Sequence, residues 1–158
     1  MKTVTLTSFI ITLLLILSVP ALQAQSVPGA GNPSWKTNEP WKNNQLMQPS
    51  TLAAILNNPK AKKPLIFNIG VVENIKGAQN IGAASVQKNL IAFKTALRGV
   101  PKNAAIVVYC GCCPFNKCPN IRPAITALNE LGYNNAKLLN LATNIKVDWI
   151  NKGYPLAK

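Results

Sequence analysis

Histidine is absent from the 158 residues, and only four side chains are acidic: Glu39, Glu73, Glu130 and Asp148. Without imidazole there is no His general base, no His metal ligand and no Cys–His dyad. Arginine is scarce too, with Arg98 and Arg122 alone, and beyond Lys2 the lysines scatter from Lys36 to Lys158 with no run longer than Lys62-Lys63. The net charge of +13 therefore describes a basic solvated surface that favours small anions and acidic partners, not a nucleic-acid stripe. Long apolar runs are missing beyond the first residues, so no membrane association is expected of the mature chain. Chemistry is left to sulfur, lysine, arginine and backbone dipoles.

The one extended apolar stretch, about Phe9 to Val19, follows Lys2 and precedes a small-residue region ending in Leu22-Gln-Ala24. That layout predicts an export signal over residues 1–24, cleaved after Ala24, and a periplasmic or secreted protein. A membrane anchor fits less well, because the run falls short of the ~20 residues a spanning helix needs and Pro20 cuts it. Residues 25–45, rich in Gly, Pro, Ser and Asn, read as a surface arm pinned by Trp35 and Trp41. Residues 46–158 make one domain.

Within that domain helical and strand patterns alternate. A helix is predicted from Pro49, with Ser50 as N-cap and Asn57-Asn58-Pro59 as its stop. Pro64 to Gly70 reads as a buried strand, Ala78 to Ile81 as a short one and Val86 to Leu97 as a second helix. Ala105 to Tyr109, continuous and β-branched, has the character of a central parallel strand. A third helix runs from about Pro119 to Leu131, capped by Gly132, then a strand from Ala136 to Leu141 and a short helix around Ile145 to Asn151. This order predicts an α/β domain with a mostly parallel sheet and helices on both faces. Tyr109 and Trp149 read as core.

All four cysteines, Cys110, Cys112, Cys113 and Cys118, fall in nine consecutive positions between the central strand and the third helix. A stabilising disulfide framework would spread its cysteines to close long loops. Clustered here, they lie beyond the carboxyl end of a parallel strand, where α/β sheets bind ligands. Backbone N–H groups and a helix start can cradle an anion at that place and lower a thiol's pKa. Cys110 is the expected nucleophile, held, ionised and reachable, with Gly111 in the cradle. Lys117 and Arg122 are the expected anion-binding side chains. Phe115 at the loop tip either shields the sulfur or packs.

From Trp41 to Pro155 the chain resembles the rhodanese-like domain family. The likeness rests on Gln48-Pro-Ser-Thr-Leu-Ala53, Leu65-Ile-Phe-Asn-Ile-Gly70, Ile75-Lys-Gly-Ala78 and Ile106-Val-Val-Tyr-Cys110. Leu131-Gly-Tyr133 and Asp148-Trp149 with Gly153-Tyr-Pro155 complete it. The resemblance implies a three-layer fold and a sulfurtransferase or sulfur carrier without cofactor. Cys110 would take the outer sulfur of a small sulfur-containing anion such as thiosulfate as a persulfide, and pass it to a thiol acceptor. The loop departs from the family's shorter Cys-x-x-Gly-x-Arg: helix register sets Asn120 where the family has arginine. Asn68, Gly70 and Asn74 likewise replace an acid, an arginine and a histidine of the family pattern.

Other readings of the four thiols stay open. Cys110-Gly-Cys-Cys113 has the Cys-x-x-Cys spacing of thiol–disulfide exchange, with Cys112, Cys113 and Cys118 as auxiliary thiols. Four thiolates also suit Cu(I), Zn(II) or an iron–sulfur cluster, although the spacing is not that of paired zinc knuckles. Two disulfides could instead pin the loop of an inert, partner-binding domain.

Overall fold

The structure, a computed structural model, describes residues 39–158. The expected leader and most of the arm, Trp35 included, lie outside the described residues. Five strands form one all-parallel sheet: β1 (Leu46–Met47), β2 (Leu65–Asn68), β3 (Ala78–Asn80), β4 (Ile106–Tyr109) and β5 (Ala136–Leu139). Four α-helices accompany them: α1 (Pro49–Asn57), α2 (Gln87–Ala96), α3 (Ile121–Glu130) and α4 (Ile145–Asp148). The expected α/β class is therefore present, with every strand pairing parallel. Among the described residues no helix is long and apolar enough to cross a membrane.

Strand periodicity divides the interior in two. Ile106, Val108 and the following Cys110 face one way, into a core with Phe93 and Leu97 of the α2 region and Ile121, Ala124, Ile125 and Leu128 of α3. Val107 and Tyr109 face the other way, toward Leu52, Ala53 and Leu56 of α1 and Ile145 and Trp149 around α4. Both faces of the sheet are thus covered, as the unbroken apolar run in β4 requires. Tyr109 and Trp149 are core residues with satisfied polar ends. The Tyr109 hydroxyl accepts from the Ile75 amide at 2.9 Å and donates to the Glu73 carbonyl at 3.0 Å. Trp149 Nε1 donates to the Pro155 carbonyl at 3.1 Å.

The sheet order is β1-β5-β4-β2-β3. The chain leaves β2 toward β3 on one side and leaves β4 toward β5 on the other. The loops after these two adjacent strands therefore diverge and open a crevice at their carboxyl ends, the switch point where such sheets place ligands. Cys110 follows β4 at that point, and Ile69 and Gly70 follow β2.

Element boundaries differ from the sequence expectation in instructive ways. Pro49 is the first residue of α1 and Gln48 its N-cap, so Ser50 is not the cap; proline suits a position whose N–H has no partner in the helix. Helix α3 begins at Ile121, two residues after Pro119, with Asn120 at the N-cap position but its side chain turned to Ser85 and Cys110 instead of capping. Its proline is Pro123, still within the turn where no intrahelical amide is required. The two-residue strand β1 escapes the sequence reading because so short an edge has no periodicity to detect.

Candidate functional site

Two backbone constraints build the ground around Cys110. A Cβ on Gly70 would sit 2.7 Å from the Cys110 carbonyl oxygen and 2.8 Å from its Sγ, so only glycine lets the end of β2 lie against that residue. Gly111 has φ +81°, a left-handed conformation that folds the chain back on itself immediately after Cys110. Beside them, buried Asn68 organises the turn after β2. Its Oδ1 accepts from the Gly70 amide at 3.0 Å, while its Nδ2 donates to the Val72 carbonyl at 2.8 Å and to Asn74 Oδ1 at 3.0 Å. Asn68, Gly70 and Asn74 thus form a single network at the end of β2, against Cys110.

Asn120 supplies the polar contact to sulfur. It is 5% exposed, and its Nδ2 donates to Cys110 Sγ at 3.2 Å. Its orientation is fixed by chemistry: the Ser85 amide can only donate, and it reaches Asn120 Oδ1 at 3.0 Å. The NH2 end must then face the sulfur. The amides of Gly111, Cys112 and Cys113 have no backbone carbonyl partner among the described residues, and that of Cys112 bonds the Cys110 sulfur.

The sulfurs themselves are in contact. Cys112 Sγ lies 3.2 Å from Cys110 Sγ, 3.5 Å from Cys113 Sγ and 4.0 Å from Cys118 Sγ. All four are free thiols, with Cys110 and Cys118 buried, Cys113 half-buried and Cys112 exposed. The sulfurs of Cys110, Cys112 and Cys118 fall within 4.8 Å of one another, a spacing at which one soft cation can touch all three. Hydrogen bonding from the Cys118 thiol, then from Asn120 and the Cys112 amide and thiol, outweighs burial and draws the Cys110 pKa down to about 5. Burial and the neighbouring Cys110 and Cys113 sulfurs push Cys112 up to about 12. The hydrogen bond to Cys110, followed by burial, likewise raises Cys118. One anion is therefore concentrated at Cys110, while the Cys112 and Cys118 thiols hold their protons.

Three expectations need correction. Cys110 was expected to be reachable, yet it is 1% exposed, and it is Cys112 that faces solvent. The Cys110 sulfur is packed against Gly70, Cys112 and Asn120. Phe115–Lys117 form a 3₁₀ turn that folds back on the domain, the Phe115 amide bonds the Leu141 carbonyl at 3.1 Å, and the Phe115 ring packs on Trp41 at 5.9 Å. Phe115 is accordingly a packing residue. Arg122 was expected to bind an anion, but its guanidinium pairs with Glu39 at 2.5 Å, donates to the Asn116 carbonyl at 2.9 Å and lies over the Trp41 ring. It ties the segment before β1 to the cysteine loop. The Cys-x-x-Cys pair of Cys110 and Cys113 is not the contact the fold makes; Cys112 takes that place because Gly111 reverses the chain. Lys117 is exposed at the end of the 3₁₀ turn.

Sequence reasoning missed Gly70, Ser85, Glu39 and Trp41 as parts of this site. Glycine at the end of a buried strand is a signal for close backbone approach, but nothing in the sequence says that Cys110 is what approaches. Two surface hollows of about 500 and 230 Å3 lie elsewhere, the first lined by Pro40, Lys42, Asn129 and Tyr133, the second by Gln48, Asn140 and Tyr154.

No family model matches the chain, and no curated protein matches it. Among solved structures, wild-type EanB and an EanB variant in complex with hercynine resemble it with a TM-score of 0.50 and 21% identity over 72% of this chain. A second variant complex with hercynine gives the same TM-score with 22% identity over 75%. The chain spans 27–29% of the length of those proteins, and the likeness is one of fold.

Proposed function

We propose that this protein is a three-layer, rhodanese-like sulfurtransferase or sulfur carrier that forms a persulfide on Cys110. The observation that carries the reading is the hydrogen-bonded Cys110 sulfur, held at the switch point of a parallel sheet with its pKa drawn down to about 5. A thiolate there attacks the outer sulfur of thiosulfate, the sulfur–sulfur bond of the donor breaks, and sulfite departs with the electron pair. Asn120 Nδ2 and the Cys112 amide, which hydrogen-bond the Cys110 sulfur, then stabilise the persulfide, and a thiol acceptor removes its outer sulfur. Because Cys110 is covered, with exposed Cys112 the thiol beside it, donor access requires the cysteine loop to move. Sulfite release upon addition of thiosulfate, lost in Cys110→Ser, tests the reading; equal release from both proteins overturns it. Export through residues 1–24 belongs to the same proposal and predicts a mature protein beginning at Gln25.

A second reading is supported by the mutual approach of the Cys110, Cys112 and Cys118 sulfurs within 4.8 Å, a donor set suited to Cu(I) or Zn(II). It predicts one equivalent of metal bound by the reduced protein and lost in Cys118→Ser. A chain that neither releases sulfite, nor holds metal, nor exchanges a disulfide would instead be an inert binding domain.

A further inference from the structure

We propose that Cys112 is a resolving thiol, which attacks the Cys110 persulfide and releases its outer sulfur as sulfide while closing a Cys110–Cys112 disulfide. This rests on the persulfide reading above and extends it to the fate of the sulfur.

Geometry carries the proposal. Cys112 Sγ is the sulfur that touches each of the other three, and its shortest approach, 3.2 Å, is to Cys110. One residue separates the two cysteines, and that residue is a glycine at φ +81°. The return it imposes brings the side chain of Cys112 back over the one that delivers the sulfur. A side chain at Gly111 would not fit, since its Cβ would meet Ile145 Cβ at 2.8 Å. The Ile145 amide at the start of α4 donates to the Gly111 carbonyl at 2.9 Å and tethers the reversal. Cys112 is also the exposed member of the cluster, so a disulfide closed through it remains open to an incoming reductant.

The step balances without an outside oxidant. Cys112 sulfur bonds to Cys110 Sγ, and the bond between Cys110 Sγ and the outer sulfur breaks. The outer sulfur leaves with that electron pair, takes the Cys112 proton and departs as hydrosulfide. The sulfane sulfur is reduced and the two cysteines are oxidised. A further turnover needs a dithiol reductant, which would attack at exposed Cys112 and expel Cys110 as the better-stabilised thiolate.

The test is single-turnover reaction of the reduced full chain with thiosulfate, without oxygen or added thiol, following sulfite, sulfide and intact mass. Wild-type protein is expected to yield one equivalent each of sulfite and sulfide and to end two hydrogens lighter. Cys112→Ser is expected to yield sulfite without sulfide and to keep the mass of one added sulfur. Substitution at an exposed thiol leaves the core intact, and the sulfite yield of the variant verifies that its site is formed. If wild-type protein retains the added sulfur as long as Cys112→Ser does, or if Cys112→Ser also releases sulfide, the role of Cys112 is overturned and the persulfide reading stands. If neither protein releases sulfite, the persulfide reading falls and this inference falls with it.

Discussion

Replacing Asn120 by alanine removes a hydrogen bond that holds the Cys110 sulfur as an anion. Both residues are buried, and the donor lies 3.2 Å from the sulfur. A hydrogen bond to a charged group contributes ~1.5–3 kcal/mol. At ~1.4 kcal/mol per pH unit, its loss raises the thiol pKa by ~1–2 units. Cys110 begins at about 5 in the intact site. The sign follows from the nucleophile: thiolate reacts and thiol does not, so the rate falls as pH drops through the pKa. Single-turnover sulfite release, measured from about pH 4 to 9, should therefore inflect near 5 in wild-type protein and ~1–2 units higher in Asn120→Ala. The same substitution strips the Ser85 amide of its acceptor, at ~1–3 kcal/mol of stability measured by denaturant unfolding. Asn120→Asp separates the two effects. It keeps an acceptor for Ser85 but sets an anion against the sulfur, so its inflection should move up further than that of the alanine variant. An inflection unchanged by both substitutions would refute the claim that Asn120 sets the charge of Cys110.

Gly70→Ala should abolish persulfide formation and cost ~1–3 kcal/mol of stability, because its Cβ meets a backbone oxygen that cannot step aside; normal activity in this variant would contradict the packing described. Arg122→Ala should leave the thiosulfate concentration dependence unchanged and lower stability by only ~0–1 kcal/mol, as a half-exposed ion pair does. A large loss of apparent thiosulfate affinity would show that Arg122 leaves Glu39 to bind substrate. Phe93→Ala, at a fully buried ring packed edge-on against Phe67, should cost ~3–5 kcal/mol in denaturant unfolding.

The parts of this molecule that were legible in the sequence are those governed by periodicity. The unbroken Ile106-Val-Val-Tyr109 run announced a strand buried on both sides, and Leu90, Phe93 and Leu97 announced the face of α2. The cysteine loop was found for the same local reason: sulfur clustered where a strand ends. What the sequence hid depends on chain reversal and on contacts between distant segments. No local pattern says that Gly111 returns Cys112, not Cys113, to Cys110, or that Ser85, 35 residues before Asn120, orients its amide. Arg122 looked like an anion-binding cation because its partner, Glu39, lies 83 positions away. Burial of Cys110 was equally out of reach, since Gly70 and Asn120, which lie against its sulfur, come from other segments of the chain.

The central claim is tested most directly by the sulfite released when reduced protein meets thiosulfate in a single turnover. The account predicts one equivalent per chain from wild-type protein and none from Cys110→Ser. No sulfite from the wild type, or the same yield from both proteins, would contradict it.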